Sequence, residues 1–236
     1  MGVRERKERE REQRRFDILE SARVAFGKYG LEQTSMDRIA QEAELAKGTL
    51  YLYFKNRDEL LMALMVHDFN NLIDEIEATI AKRHTPQEQL IAIPGCFFDF
   101  SCKNHVFYQM ITHLNMQTLL ASQQESEHLE HFRTTNARMM NVVTSIVQRG
   151  VEEGVFYLSQ PIEMVVMEMM MATKGTMVII SNGMFPPMLP MPDLRLILHN
   201  MSCMFIRSLE SSKTPSCAAY LFGDHTQPLT SIVGDS

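Results

Sequence analysis

Apolar residues recur at helical spacing from Ile18 to Leu209, and nowhere does the chain alternate convincingly as a strand would. Ile18, Leu19, Ala22, Ala25, Phe26 and Tyr29 stand at i, i+1, i+4, i+7, i+8 and i+11, one face of a helix. That periodicity confines the chain to an all-α architecture. At 236 residues it has room for one large domain or two small ones. An apolar content of 45% against 22% charged residues suits a packed core and is too balanced for a disordered chain.

The punctuation between helices is local. Gly30 stands where the first helix must stop. Thr34-Ser35 offers an N-cap to a short second helix with Met36, Ile39, Ala40 and Ala43 on its apolar face. Leu45, Leu50 and Phe54 form a further short apolar group. Asn56 caps a longer helix, Asp58–Ala81, with Glu59 three residues on at the capping-box distance. After a break at His84–Pro86, helices are expected at Gln87–Lys103 (with a kink or interruption at Pro94-Gly95), Asn104–Ser122, Leu129–Gly150, Ile162–Ser181 and from Leu194 to Leu209. The stretch Gly183–Pro192 cannot be helical, and residues after Ser211 read as a loose tail. No segment repeats.

Charge is unevenly spread. Residues 1–60 carry 13 Lys/Arg and 12 Asp/Glu, net +1, which leaves 10 and 17, net −7, for residues 61–236. The overall charge of −6 excludes a uniformly basic coat, so any nucleic-acid surface belongs to the first quarter. Residues 4–15 alternate in charge and read as a solvated helix extension, with an arm that sets arginines on a nucleic-acid backbone as the functional alternative. Cys96, Cys102, Cys203 and Cys217 show no short paired spacing, which suits a reducing cytoplasm and core thiols. With a charged N-terminus, no signal peptide is expected. Ile162–Ser181 is the membrane candidate, but Glu163, Glu168 and Lys174 would each cost about 2.5–3.5 kcal/mol at mid-span, so a buried helix and no membrane are expected.

Three short helices within 55 residues, the last two joined by a tight turn, describe a helix-turn-helix. In such a unit the second helix of the pair enters the major groove. Leu50 and Phe54 are apolar enough to face inward on Ile39 and Ala43, leaving Lys47, Gly48, Thr49, Tyr51, Leu52 and Tyr53 outside. Lys47 can donate to guanine or phosphate, Thr49 can bond a base edge, and Tyr51 and Leu52 suit thymine methyls. Tyr53, Lys55 and the Thr34-Ser35 helix start suit phosphate oxygens.

Residues 16–65 resemble the DNA-binding domain of the TetR (AcrR-like) bacterial transcriptional regulators, most specifically in KGTLYLYFKNR at Lys47–Arg57 followed by Asp58-Glu59-Leu60-Leu61. The resemblance covers about 50 residues of the chain and implies that Lys47, Gly48, Thr49, Tyr51 and Leu52 face bases, Gly48 by allowing close approach. Ser35, Tyr53, Lys55 and Arg57 would hold phosphates. One position departs from the pattern: Glu44 occupies the turn that usually carries Gly, where a left-handed residue costs about 1–2 kcal/mol.

Four segments follow: a charged arm at 1–15, the helix-turn-helix domain at 16–57, a helical ligand-binding and dimerisation domain at 58–211, and a tail at 212–236. By resemblance the chain is a homodimer joined through Ile162–Ser181 and the last helix, binds a double-stranded pseudo-palindromic operator, and responds to a small molecule as a repressor. No cofactor is expected. Eleven of the 19 methionines lie between Met164 and Met204, and their unbranched thioethers suit a refittable apolar interior. The effector should accordingly be apolar, such as a drug-like compound, a fatty acyl group or a steroid-like molecule. Phe98, Phe107, Met110, Met139, Val143, Met167, Met170 and Met171 are the apolar pocket candidates, with His113, Asn136 and Lys174 as polar anchors. A metal- or redox-responsive alternative of the same fold has His105, His113, His128, His131, Cys96 and Cys102 to draw on, without a recognised ligand spacing. No GxSxG, P-loop, GxGxxG or HExxH motif points to an enzyme. A helical binding protein without DNA would leave Lys47–Arg57 unexplained.

Overall fold

The structure, a computed structural model, describes residues 2–122, 127–184 and 193–210, and all regular structure among them is helical. The first four helices build the head. α1 (Val3–Tyr29) buries Ile18, Leu19, Ala22, Ala25 and Phe26 and ends at Gly30, whose φ of 82° places it in a left-handed conformation. Residues 3–15 are therefore the opening turns of α1, continuous with the head. The Thr34 hydroxyl donates to the carbonyls of Gly30 (2.7 Å) and Ala25 (3.2 Å), fastening the loop that enters α2 (Met36–Glu42). Ser35 caps α2 by accepting from the Arg38 N–H at 3.3 Å.

The turn out of α2 is left-handed at Glu44, with φ 53°. The Leu45 N–H reaches the Ala40 carbonyl (2.9 Å) and the Glu44 N–H reaches Gln41 (3.2 Å), the paired bonds of a Schellman ending. Glu44 thus adopts the glycine conformation with its cost unrelieved by rearrangement. Short α3 (Lys47–Tyr51) follows, and Leu50 and Phe54 are completely buried with Ile39.

α4 (Arg57–Ile80) belongs to head and body alike. Asn56 caps it by accepting from the Glu59 N–H at 2.8 Å. Its Leu60, Leu61 and Leu64 share one continuous apolar core with Phe26 and Phe54 of the head and with Leu72, Ile76 and Phe107 of the body. Arg23 of α1 adds a two-pronged ion pair to the buried Asp68 of α4, at 2.7 and 2.6 Å.

Around α4 pack α5 (Pro86–Lys103), α6 (His105–His113), α7 (Met116–Ala121), α8 (Glu127–Glu152), α9 (Ile162–Ser181) and α10 (Leu194–Glu210). α5 and α8 lie against α4, α10 lies on α5, and α9 lies on α8 and α10. Two expectations change. Pro94 sits inside an unbroken α5, where its missing N–H removes one backbone bond without ending the helix. The single helix expected over Asn104–Ser122 is two, because Asn115 turns the chain and caps α7 by accepting from the Thr118 N–H at 3.1 Å.

α9 buries one face only: Val165, Val166, Met169 and Met177 are inside, while Met164, Met167, Met171 and Ile179 remain exposed. Its length and apolarity alone would let it span a membrane. Met204 and Leu196 of α10 are exposed as well. Of the thiols expected in the core, Cys96 and Cys203 are half-buried and Cys102 is exposed. Residues 212–236 and most of the Gly183–Pro192 stretch lie outside the described residues.

Candidate nucleic-acid interface and effector cavity

α3 presents a surface that the fold itself does not use. Leu52 is 77% exposed and Tyr51 43%, an unusual position for large apolar groups beside a complete core. Gly48 has open space where a Cβ would sit, and its backbone is helical. Glycine there costs the helix about 1 kcal/mol relative to alanine with no internal return. Thr49 and Tyr53 are half-buried at the edge of this surface, and Lys55 is exposed beyond it. Lys47 Nζ meets Asp37 Oδ1 at 2.5 Å across the turn, and this hydrogen bond and the charge of Asp37 raise the lysine pKa. Both side chains are largely exposed, so Lys47 can exchange this partner for another anion.

Two residues expected at phosphates are engaged elsewhere. Thr34 is buried and spends its hydroxyl on the α1 carbonyls, leaving Ser35 as the exposed residue of that helix start. Arg57 is half-buried and donates to the carbonyls of Leu31 (3.1 Å) and Glu32 (3.0 Å) while pairing with Asp58. It braces the loop before α2 instead of projecting outward.

Beside the shared apolar core, a part-buried polar cluster also links head and body. Arg15 of α1 lies over the Phe54 ring, 4.7 Å from its centroid, and reaches His128 Nε2 at 2.8 Å. His128 opens α8, and Glu59 of α4 approaches the same nitrogen at 3.4 Å. Burial, and then the charge of Arg15, lower the His128 pKa below the ordinary histidine value.

In the body, a cavity of about 240 Å³ lies between α4 and α5, α6 to α8, and α9 and α10. Of the expected lining, Met110, Asn136, Met139, Val143, Met170, Met171 and Lys174 do border it. Exposed Met171 and Lys174 stand at its mouth on α9. Asn136 brings polarity to the wall, its Nδ2 donating to the Phe132 carbonyl at 2.8 Å.

Four expected members are elsewhere. Phe107 is fully buried behind the wall, edge-on to Phe69, Phe97 and Phe100. Phe98 is half-buried against the core, and Met167 points outward from α9. His113 is exposed beside a separate cleft containing Arg57 and Gln109, its Nδ1 2.6 Å from the Thr112 hydroxyl. Met65, Phe69 and Ile76 of α4 and Ile93, Pro94 and Phe97 of α5 are among the further wall residues, unanticipated from sequence. The apolar period of α4 contained that signal, but it served there only to define a connecting helix. Among the described residues, no three His, Cys, Asp or Glu side chains converge to hold a metal.

Residues 18–64 match the family described as bacterial regulatory proteins, tetR family. The chain is similar to the fatty acid metabolism regulator protein of Bacillus subtilis (strain 168), 26% identical over 141 residues that span 59% of this chain and 69% of that protein. It is similar also to the HTH-type transcriptional repressor KstR2 of Mycobacterium tuberculosis (strain CDC 1551 / Oshkosh), 26% identical over 144 residues, 61% of this chain and 69% of that one. In fold it is similar to the transcriptional regulator FadR from Bacillus subtilis solved in complex with stearoyl-CoA, with a TM-score of 0.62, 20% identity, and coverage of 84% of this chain and 99% of that one.

Proposed function

The chain belongs to the TetR family of bacterial transcriptional regulators, and from that premise we propose a homodimeric repressor that grips a pseudo-palindromic operator and changes grip when an apolar molecule enters the body. The carrying observation is the α3 surface: exposed Tyr51 and Leu52 beside a Gly48 that the fold does not require. Lys47, Gly48, Thr49, Tyr51 and Leu52 face bases in this reading. Ser35, Tyr53 and Lys55 hold phosphates. A protein that works on DNA belongs in the bacterial cytoplasm.

Two copies join through the exposed faces of α9 and α10. Met164, Met167 and Met171 fall at i, i+3 and i+7, one stripe that the chain's own core leaves uncovered. Two heads then meet half-sites about one helical turn or a multiple apart.

The cavity wall is mostly methionine, phenylalanine and aliphatic side chains, with Asn136, Thr173, Lys174 and Ser202 as its polar groups. That chemistry suits a long acyl chain entering tail first, with an anionic head left at Lys174. The regulator of Bacillus subtilis solved with stearoyl-CoA has the same fold, which supports an acyl thioester as the effector class. A ligand changes DNA affinity only through its differential affinity for the two states of the dimer.

The test is a gel shift with the promoter region beside the protein's own gene, with and without stearoyl-CoA. Retardation that the thioester relieves is the expected result. Retardation that answers to metal ions and to no apolar compound would overturn the effector assignment, and no retardation with any promoter fragment would overturn the DNA-binding role.

A further inference from the structure

The opening turns of α1 carry charge in register. Arg4, Lys7, Arg11, Arg14 and Arg15 fall within an arc of about 100° on the helix, while Glu5, Glu8 and Glu12 occupy the neighbouring arc. Residues 2–14 are all exposed. Charges off the basic stripe are used locally: Arg6 pairs with Glu10 at 3.4 Å, and Glu5 accepts from the Gly2 N–H at 2.9 Å. Arg4, Lys7, Arg11 and Arg14 form no ion pair among the described residues.

The stripe continues the inward face of α1, on which Ile18, Ala22 and Ala25 are buried, beyond the point where the head ends. Arg15, at the lower end of the stripe, is pinned over Phe54, whose chain neighbours are Tyr53 and Lys55. From Arg15 the stripe runs about 16 Å to Arg4. A linear row of exposed cations on the helix that packs the candidate nucleic-acid head, on a protein of net charge −6, complements a linear polyanion.

We infer that this stripe is a second DNA-contacting surface, which lies along the phosphates of the duplex flanking each half-site and reads no sequence. The inference rests on the DNA-binding reading of α3. It makes Arg4, Lys7, Arg11 and Arg14 contributors to affinity, and Lys47 with its neighbours the source of discrimination.

The test measures the salt dependence of full-length protein binding to a 40-base-pair mixed-sequence duplex. Three variants are compared with the parent: R4Q/K7Q/R11Q/R14Q, the charge-keeping R4K/R11K/R14K, and E5Q/E8Q/E12Q. The slope of log affinity against log salt should shrink by roughly 0.9 for each phosphate that is no longer neutralised, so by about 3 or more in the quadruple variant. The charge-keeping variant should retain the parental slope, and the Glu-to-Gln variant should bind more tightly at every salt concentration. Helicity and melting of each variant are recorded alongside. Equal slopes for the parent and the quadruple variant overturn the inference. So do a tighter grip on phosphatidylserine vesicles with an unaltered DNA slope, and no gain in the Glu-to-Gln variant should the quadruple one unfold. Failure of the parent to bind DNA at all would instead strike the α3 reading.

Discussion

Arg15 of α1 and His128 of α8 meet at 2.8 Å, so the first helix of the head and the longest helix wholly within the body are bonded directly. Guanidinium groups carry charge and only donate, so Arg15 disfavours a second cation on the imidazole beside it. Burial and Arg15 hold its pKa down, against the opposing pull of Glu59 and Glu127, with nearby His131 also lowering it. A ring that resists protonation in the folded state makes the unfolded chain the better proton binder in acid. Above about pH 7 the ring is neutral in both states and contributes no slope. As pH falls through the ordinary histidine value of about 6.5, stability should decline, and it should go on declining until the depressed folded value is passed. Urea unfolding followed from pH 7.5 downward checks this, and a His128→Gln variant should show a shallower acid limb. An identical limb in the variant would remove His128 from the account.

Asp68 is 1% exposed and carries both prongs of the Arg23 pair. Asp68→Ala leaves the part-buried guanidinium only the half-exposed Glu20, at 3.1 Å, and should cost about 3 kcal/mol in denaturant unfolding. Replacing both partners, as Arg23→Leu with Asp68→Leu, should recover most of that stability, because the desolvation cost leaves with the charges. A double variant as weak as the single would show instead that the pair itself supplies the stability.

Gly48→Ala separates stability from recognition. The added methyl meets open space, so the folded chain should gain about 0.5–1 kcal/mol. Operator affinity should drop roughly tenfold, about 1.4 kcal/mol, as the methyl intrudes where DNA approaches. Melting curves and titrations of the same preparation test both halves, and undiminished affinity would take Gly48 out of the interface.

Glu44→Gly should raise the melting temperature, since glycine accepts φ 53° without the steric cost that glutamate bears. The net gain is about 0.5–1 kcal/mol after glycine's extra chain entropy. Glu44→Val, branched at Cβ, should lower it. A pair of variants with equal melting points would mean that the turn relaxes around any residue.

The head was legible in the chain because its signals are local. Asn56 with Glu59, Thr34-Ser35 and the Leu50/Phe54 pair each act within a few residues, and the structure differs mainly in who uses the polar groups. Thr34 and Arg57 look like phosphate ligands in sequence, yet carbonyls brought near by the fold claim them first. That competition depends on where the α1–α2 loop passes, which no spacing encodes. The cavity was half legible for a related reason. Met139, Val143 and Met170 share period and composition with Met167 and Phe107, and only the mutual packing of α6, α8 and α9 decides which of them face the void. The exposed methionine stripe of α9 was anticipated as apolar, but burial by its own chain could not be told apart from burial by a second copy.

α4 borders the cavity with Phe69 and Ile76 and anchors the head with Leu60 and Leu61. Its 24 residues make a rod about 36 Å long. In the proposed repressor such a rod would work as a lever, with the effector at one arm and the operator at the other. A tilt of about 5° at the cavity end carries the far end by roughly 3 Å. In a symmetric pair the two displacements are opposed and add to roughly 6 Å, close to two base-pair steps of about 3.4 Å. In that reading a molecule lodged between methionine side chains, displacing the cavity wall by only an ångström or two, would leave both reading heads out of step with the groove.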